Sequence, residues 1–205
     1  MNKNDTSVVI LAGGNSERLD FPKPFLPFDS SNTFLKKIVK EYSAFGCEEI
    51  IAVLNKKFFS KEFFNKLQDI LNVNFVSNEH PDLGRFYSLK LGINAIENNS
   101  FCFIQNVDNP FIDSALLNEL YKSRIDEGFA VPVFDGKRGH PVIIGNQIIA
   151  RIRSEKDDTL NIRNLLNEYK AIELATNNDK VLANINTAND YANYFRNSSY
   201  PPQAK

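Results

Sequence analysis

Residues 7–28 read SVVILAGGNSERLDFPKPFLPF, and the change of character inside them organises the whole chain. Residues 7–11 (SVVIL) are short, apolar and β-branched, as expected of a strand covered on both faces. Ala12-Gly13-Gly14-Asn15-Ser16 breaks the run. Glycines let backbone N–H groups approach an anion closely, and successive N–H groups can form an anion-binding nest. Arg18 and Lys23 then add local positive charge. Gly13-Gly14 alone suits an ordinary strand-to-loop turn, but two cations at this spacing point to a phosphate ligand. The loop is neither GxxxxGK[ST] nor GxGxxG, which disfavours P-loop kinases and dinucleotide-binding dehydrogenases.

Outward from this loop the pattern alternates. Residues 33–45 place Phe34, Leu35, Ile38, Val39, Tyr42 and Phe45 at helical spacing, with Gly46 where a helix C-cap belongs. Residues 49–54 (EIIAVL) read as a second strand. Residues 60–71 read as a helix capped by Ser60, with Phe63, Phe64, Leu67, Ile70 and Leu71 on one face. Residues 73–76 and 101–105 are further strands, and 86–97 and 114–124 further helices. This βαβαβαβα order implies a parallel sheet with right-handed crossovers. Residues 130–134 and 141–144 flank a glycine-containing turn and suggest a hairpin-like excursion. Residues 160–169 read as a helix and 184–186 as a short strand end. Residues 187–195 read as a final helix whose Thr187 and Asp190 have capping-box spacing. One domain over 1–196 and a frayed tail over 197–205 are expected.

The 205 residues include 42% hydrophobic and 24% charged, an ordinary globular composition. Lys and Arg total 24 against 25 acidic residues, a net charge of −1, without the basic excess of a general nucleic-acid binder. The longest apolar runs are about five residues, far below a membrane span, and residues 1–6 lack a signal-peptide core. Cys47 and Cys102 read as two buried thiols in a reducing compartment. A cytoplasmic protein is expected, acting on neither nucleic acid nor membrane, with its oligomeric state left open. The 17 phenylalanines read mostly as core, His80 as a surface residue, and Lys56-Lys57 as a solvated pair.

Asp108 falls at the carboxyl end of the fourth strand, the edge where parallel sheets bind ligands. A carboxylate there, followed by Asn109-Pro110, suits Mg²⁺, which takes one or two carboxylates plus substrate phosphates. A turn cap after the strand is the alternative reading. No Ser-His-Asp or Cys-His arrangement stands out.

Taken together, these segments resemble the MobA-like NTP-transferase family, which includes the guanylyl- and cytidylyltransferases of molybdenum cofactor maturation. Residues 11–23 resemble its LAxGxSxRxGxxK signature, and Asn106–Pro110 (NVDNP) its metal-binding D-x-P. Residues 84–89 (GRFYSL) resemble its Gly-rich loop and SL helix. Residues 139–142 (GHPV) resemble the cytidylyl branch, and 184–190 (NINTAND) the N-x-N-T-P-E-D of the guanylyl branch. Leu19-Asp20 replaces the family Gly, and Ala188 and Asn189 replace Pro and Glu.

The resemblance implies a Rossmann-like three-layer α/β/α sandwich with a mostly parallel mixed sheet, of the GT-A-like nucleotide-diphospho-sugar transferase type. It implies Mg²⁺-dependent transfer of NMP from an NTP to a phosphorylated small-molecule acceptor, foremost molybdopterin, with pyrophosphate released. LAGG and NINT lean towards GTP, GHPV and GRFYSL towards CTP. By the same resemblance Leu11, Ala12, Gly13, Gly14, Asn78, Gly84 and Ser88 bind the nucleotide. Lys23 neutralises the triphosphate with help from Arg18, and Asp108 and Asn186 hold the metal. His140 either lies towards the acceptor or is a turn residue, and Asn55 either approaches the base or caps a strand end. A sugar- or alditol-phosphate nucleotidyltransferase and a catalytically silent nucleotide-binding protein are the alternatives.

Overall fold

The computed structural model describes residues 3–15, 18–19, 21–97 and 100–195. Asp20, the side chain of Phe64 and the expected tail lie outside the residues and side chains so described. β1 (Lys3–Ala12) continues the apolar run of the opening stretch. α1 (Phe34–Phe45) follows, its Thr33 side chain accepting from Lys36 N and Gly46 closing it at φ 95°. β2 (Cys47–Asn55), α2 (Lys61–Gln68), β3 (Asn74–Asn78), α3 (Gly84–Asn94), β4 (Phe101–Asn106) and α4 (Ser114–Lys122) continue the expected alternation. β5 (Gly128–Phe134), β6 (Lys137–Arg138), β7 (Val142–Gly145), α5 (Asn146–Ser154), α6 (Ile162–Leu166), β8 (Lys170–Ala175) and α7 (Ala188–Tyr194) complete the chain.

The sheet runs β3-β2-β1-β4-β7-β5-β6, with β8 also paired to β5. β1 pairs in parallel with β2 and β4, so Val8 sits beside Ile50 on one side and Phe103 on the other. β7 is antiparallel to both β4 and β5. The expected hairpin is therefore no excursion: its second arm enters the middle of the sheet and makes it mixed.

Period-two alternation splits the core in two. Val8, Ile10 and Ala12 point into a core roofed by α1, α4 and Tyr191 of α7. Val9 and Leu11 point into the opposite core, covered by α3, α5 and Leu165 of α6. Side chains on successive strand residues leave opposite faces, so an unbroken apolar strand requires helices on both sides. The result is the expected three-layer α/β/α arrangement. No helix among the described residues is long and apolar enough to cross a membrane.

Several elements differ from the sequence reading. α5 is a helix that the reading passes over, although Ile148, Ile149 and Ile152 share one buried face. β8 is likewise unforeseen; as an outer strand it carries half-buried and exposed residues in place of a continuous apolar run. The helix expected over 160–169 shrinks to α6, because Lys170 begins β8. Residues 184–186 belong to no strand. Ser60 stands at the N-cap of α2 without a side-chain capping bond, and Leu71 lies beyond that helix, 74% exposed. Cys102 is buried as expected, whereas Cys47 is only partly so.

α3 packs tightly on the sheet at Gly92. A Cβ there would lie 2.4 Å from Val9 Cγ1 and 3.0 Å from Val53 Cγ2. Overpacking of this kind costs about 1–3 kcal/mol. Gly92→Val should therefore lower the urea midpoint by an amount in that range, and an unchanged midpoint would show that α3 can ride farther from the sheet.

Candidate functional site

The carboxyl ends of β1 to β4 share one edge of the sheet. Register places Leu11 beside Asn106 and Asn55 beside Asn78. Above this edge lies a cleft of about 220 Å³ lined by Gly13, Lys23, Gly84, Arg85, Ser88 and Asp108, among others. Leu11, Ala12, Gly14 and Asn186 also line it. Nine of the residues singled out from the sequence are thus gathered in one place.

The glycine loop is held from beneath. Asn55 Nδ2 donates to Asn15 Oδ1 at 3.0 Å and lies 3.4 Å from Gly13 O. Its Oδ1 accepts from Lys57 N at 3.1 Å, so the strand-end cap reading of Asn55 holds. Lys57 Nζ donates to Asn15 O at 2.7 Å and Lys56 pairs with Glu79, so neither lysine is merely solvated. Asn78 is buried beside the cleft and does not line it. Its Nδ2 donates to Ser88 Oγ at 2.9 Å and its Oδ1 accepts from His80 N at 2.8 Å. Glycine at 13 leaves room for the Asn78–Ser88 pair, since a Cβ there would lie 2.8 Å from Ser88 Oγ and 3.0 Å from Asn78 Nδ2. Gly84 is required for another reason: its φ is 86°.

Lys23, flanked by Pro22 and Pro24, opens a short 3-10 segment, Lys23–Phe25. Phe25 anchors that segment, buried and stacked on Phe63 at 5.0 Å. From there Lys23 Nζ donates to Asn186 Oδ1 at 2.6 Å and lies 3.6 Å from Asp108 Oδ2. Burial pushes the Lys23 ammonium down in pKa, with Arg18 and Arg85 pushing the same way and Asp108 resisting. Burial likewise pushes the Asp108 carboxyl up, against the charges of Lys23 and Arg85.

Asn186 is aimed by the N-terminus of α7. Asp190 Oδ2 accepts from Thr187 N at 2.8 Å and from Asn186 N at 3.0 Å, and the expected capping box is present. Ile185 N donates to Asp108 O at 2.9 Å, which ties the same loop to the end of β4. Arg18 is exposed and lies outside the cleft's lining, though its charge reaches Lys23 and Asp190. Arg85 lines the cleft and received no role in the sequence reading. Its signal was a cation directly after a glycine at the start of a helix.

Asp108 and Asn186 offer hard oxygen atoms around a single ammonium position, a donor set that fits Mg²⁺ when phosphates and water complete the shell. Among the described residues no three His, Cys, Asp or Glu side chains form a fuller metal cage. His140 lies behind this edge. Its Nε2 is 3.0 Å from Asn106 Nδ2, and its backbone N donates to Val181 O at 2.9 Å. With the amide as donor Nε2 accepts, so the ring proton sits on Nδ1, which is buried without a partner. His80 is exposed and packs edge-on to Tyr87.

The sequence profile of the MobA-like NTP transferase domain matches residues 8–172. A curated relative from Clostridium perfringens (strain SM101), named "Probable molybdenum cofactor guanylyltransferase", is 31% identical over 130 residues. That match covers 62% of this chain and 59% of the relative's length. A solved nucleotidyl transferase from Methanothermobacter thermautotroptrophicus, Mth528, superposes with a TM-score of 0.77 at 20% identity. It covers 93% of this chain and 96% of its own. Rv0371c from Mycobacterium tuberculosis gives 0.76 at 18% identity, covering 95% and 100%. A further structure of that protein is a complex with manganese. At these identities the structural likeness establishes the fold.

Burial, followed by the charges of Arg85 and Arg163, pushes the His140 pKa down to about 4. An unfolded histidine titrates near 6.5. Between those values the unfolded chain binds more protons, so this residue's contribution to stability is complete above pH 6.5 and shrinks as the pH falls towards 4. Replacing the imidazole by an amide removes that proton uptake. Urea unfolding of His140→Gln should therefore lose less stability than the wild type across this window, and parallel profiles would place the imidazole in water.

Proposed function

The chain belongs to the MobA-like NTP transferase family, and we propose that it transfers NMP from GTP or CTP to a phosphorylated small molecule, molybdopterin foremost, releasing pyrophosphate. The observation that carries this reading is the convergence of Lys23, Asn186 and Asp108 beside Gly13 at the carboxyl edge of the sheet. The name of the C. perfringens relative supports the guanylyl reaction and the molybdopterin acceptor. The family and the name of Mth528, a nucleotidyl transferase of the same fold, support nucleotidyl transfer as the class.

In this reaction an oxygen of the acceptor phosphate attacks the α-phosphorus of the NTP. A new P–O bond forms, the bond from the α-phosphorus to the bridging oxygen breaks, and its electron pair leaves with pyrophosphate. The attacking phosphate oxygen is already ionised at neutral pH, so no base is required. Positioning and charge neutralisation are then the protein's main tasks. Lys23 and Arg85 face the triphosphate, and the backbone at Gly13-Gly14 receives it closely. Ser88, fixed by Asn78, borders the nucleoside. Asp108 and Asn186 would hold Mg²⁺, which when bound neutralises phosphate charge. With a triphosphate in the cleft, the Lys23 ammonium would be free to pair with phosphate oxygens in place of these two.

Asp108→Asn should reduce pyrophosphate release from GTP or CTP with molybdopterin by at least about a hundredfold, with the circular dichroism spectrum unchanged. Equal turnover would remove Asp108 from the reaction. Lys23→Ala should weaken NTP binding by about 1.5–3 kcal/mol, the worth of a hydrogen bond to a charged group. Thermal stabilisation by each of the four NTPs, with and without Mg²⁺, reads both the loss and the preferred base. A shift with ATP or UTP alone would overturn the base assignment.

A further inference from the structure

A second cleft, of about 390 Å³, lies on the other side of Gly84 and Arg85. Arg85, Phe86, Thr159, Leu160, Asn161 and Arg163 form most of its walls, and no carboxylate lines it. Gly84 and Arg85 line the first cleft as well, so the two are joined at the first turn of α3. Both guanidiniums are exposed, and neither makes an ion pair or hydrogen bond among the described residues.

The acids of the neighbouring loop are committed elsewhere. Glu155 pairs with Arg151 and accepts from Lys156 N and Asp157 N. Asp157 accepts from Thr159 N and Oγ1. Asp158 pairs with Lys90 of α3 at 2.7 Å. That last contact fastens the loop leading into α6, which bears Arg163, to the helix bearing Arg85, so both cations stand on one support. Asn161 Oδ1 accepts from Arg163 N at 2.9 Å and sets the start of α6. The charge of Arg85 reaches Asp108 and Lys23 on one side and His140 on the other, and that of Arg163 also reaches His140. A chain of net charge −1 has thus gathered two guanidiniums around a cleft free of carboxylates.

We propose that this second cleft binds the phosphate of the acceptor between Arg163 and Arg85, with Arg85 placed to contact both substrates across the shared wall. The proposal rests on the nucleotidyl-transfer reading and adds where the second substrate is held. Guanidinium suits the role because its planar fork grips phosphate oxygens two at a time.

The test is isothermal titration of inorganic phosphate into the protein alone and into the protein saturated with Mg²⁺ and the α,β-methylene analogue of GTP or CTP. Phosphate is expected to bind the wild type in both states. Arg163→Ala should weaken phosphate about tenfold or more and leave analogue affinity within about twofold, while Arg85→Ala weakens both. Equal phosphate affinity in wild type and Arg163→Ala overturns the proposal, as does a wild type that binds no phosphate. A loss of analogue affinity in Arg163→Ala as large as its loss of phosphate also overturns it, making the cleft an extension of the triphosphate site. A wild type that binds phosphate through Arg163 but no analogue would instead overturn the nucleotidyl-transfer reading and leave the anion site standing.

Discussion

A lysine ammonium with little water around it needs oxygen atoms within reach, and here they come from distant parts of the chain. Lys23 and Asn186 are separated by 163 residues yet share a 2.6 Å hydrogen bond, with Asp108 supplying the counter-charge. Desolvation works against both ions, raising the carboxyl pKa and lowering that of the ammonium. A paired buried charge adds little net stability but is costly to leave unpaired. Every element that delivers one of these three groups therefore has to arrive in register.

The delivery is made by hydrogen bonds to backbone. Beneath Asp108, Gln105 is fully buried, and its Nε2 donates to Asn106 O and Asn109 O at 2.8 Å. Tyr42 OH donates to Gln105 Oε1 at 3.0 Å, which connects the turn to α1. Asn109 Nδ2 reaches Val181 O at 3.0 Å, and Ile185 N reaches Asp108 O at 2.9 Å. These bonds satisfy polar groups that the end of β4 would otherwise bury unpaired, which is expensive in a low-dielectric interior. They also give the turn after β4 one shape, and with it one direction for the carboxylate.

Much of this was legible in the sequence. The β-branched run before Gly13, the helical spacing from Phe34 to Phe45 and the Thr187–Asp190 pair each carry a local signal that the structure repeats. Local signals failed where context decided. The run containing Ile148, Ile149 and Ile152 is short and rich in β-branched residues, so its helix was passed over. β8 owes its existence to β5, along which it pairs from Gly128 to Val133. Asn55 was open between approaching the base and capping a strand end, and only its bonds to Lys57 N, Asn15 and Gly13 show the cap that also braces the glycine loop, while Asn78 bonds Ser88 beside the cleft. Arg85 was unmarked because its one local signal, a cation after a glycine at a helix start, does not say whether the side chain faces a cleft or water.

The sequence by itself determined the layer order, the carboxyl-edge position of Gly13 and Asp108, and the family, because these follow from periodicity and short motifs. Only the tertiary structure decided that β7 enters the sheet between β4 and β5, that Asn186 meets Lys23, and that Arg18 stays outside while Arg85 lines the cleft. Periodicity reports which face of an element is buried. The direction of a charged side chain depends on which distant oxygens and backbone groups surround it once the chain has closed.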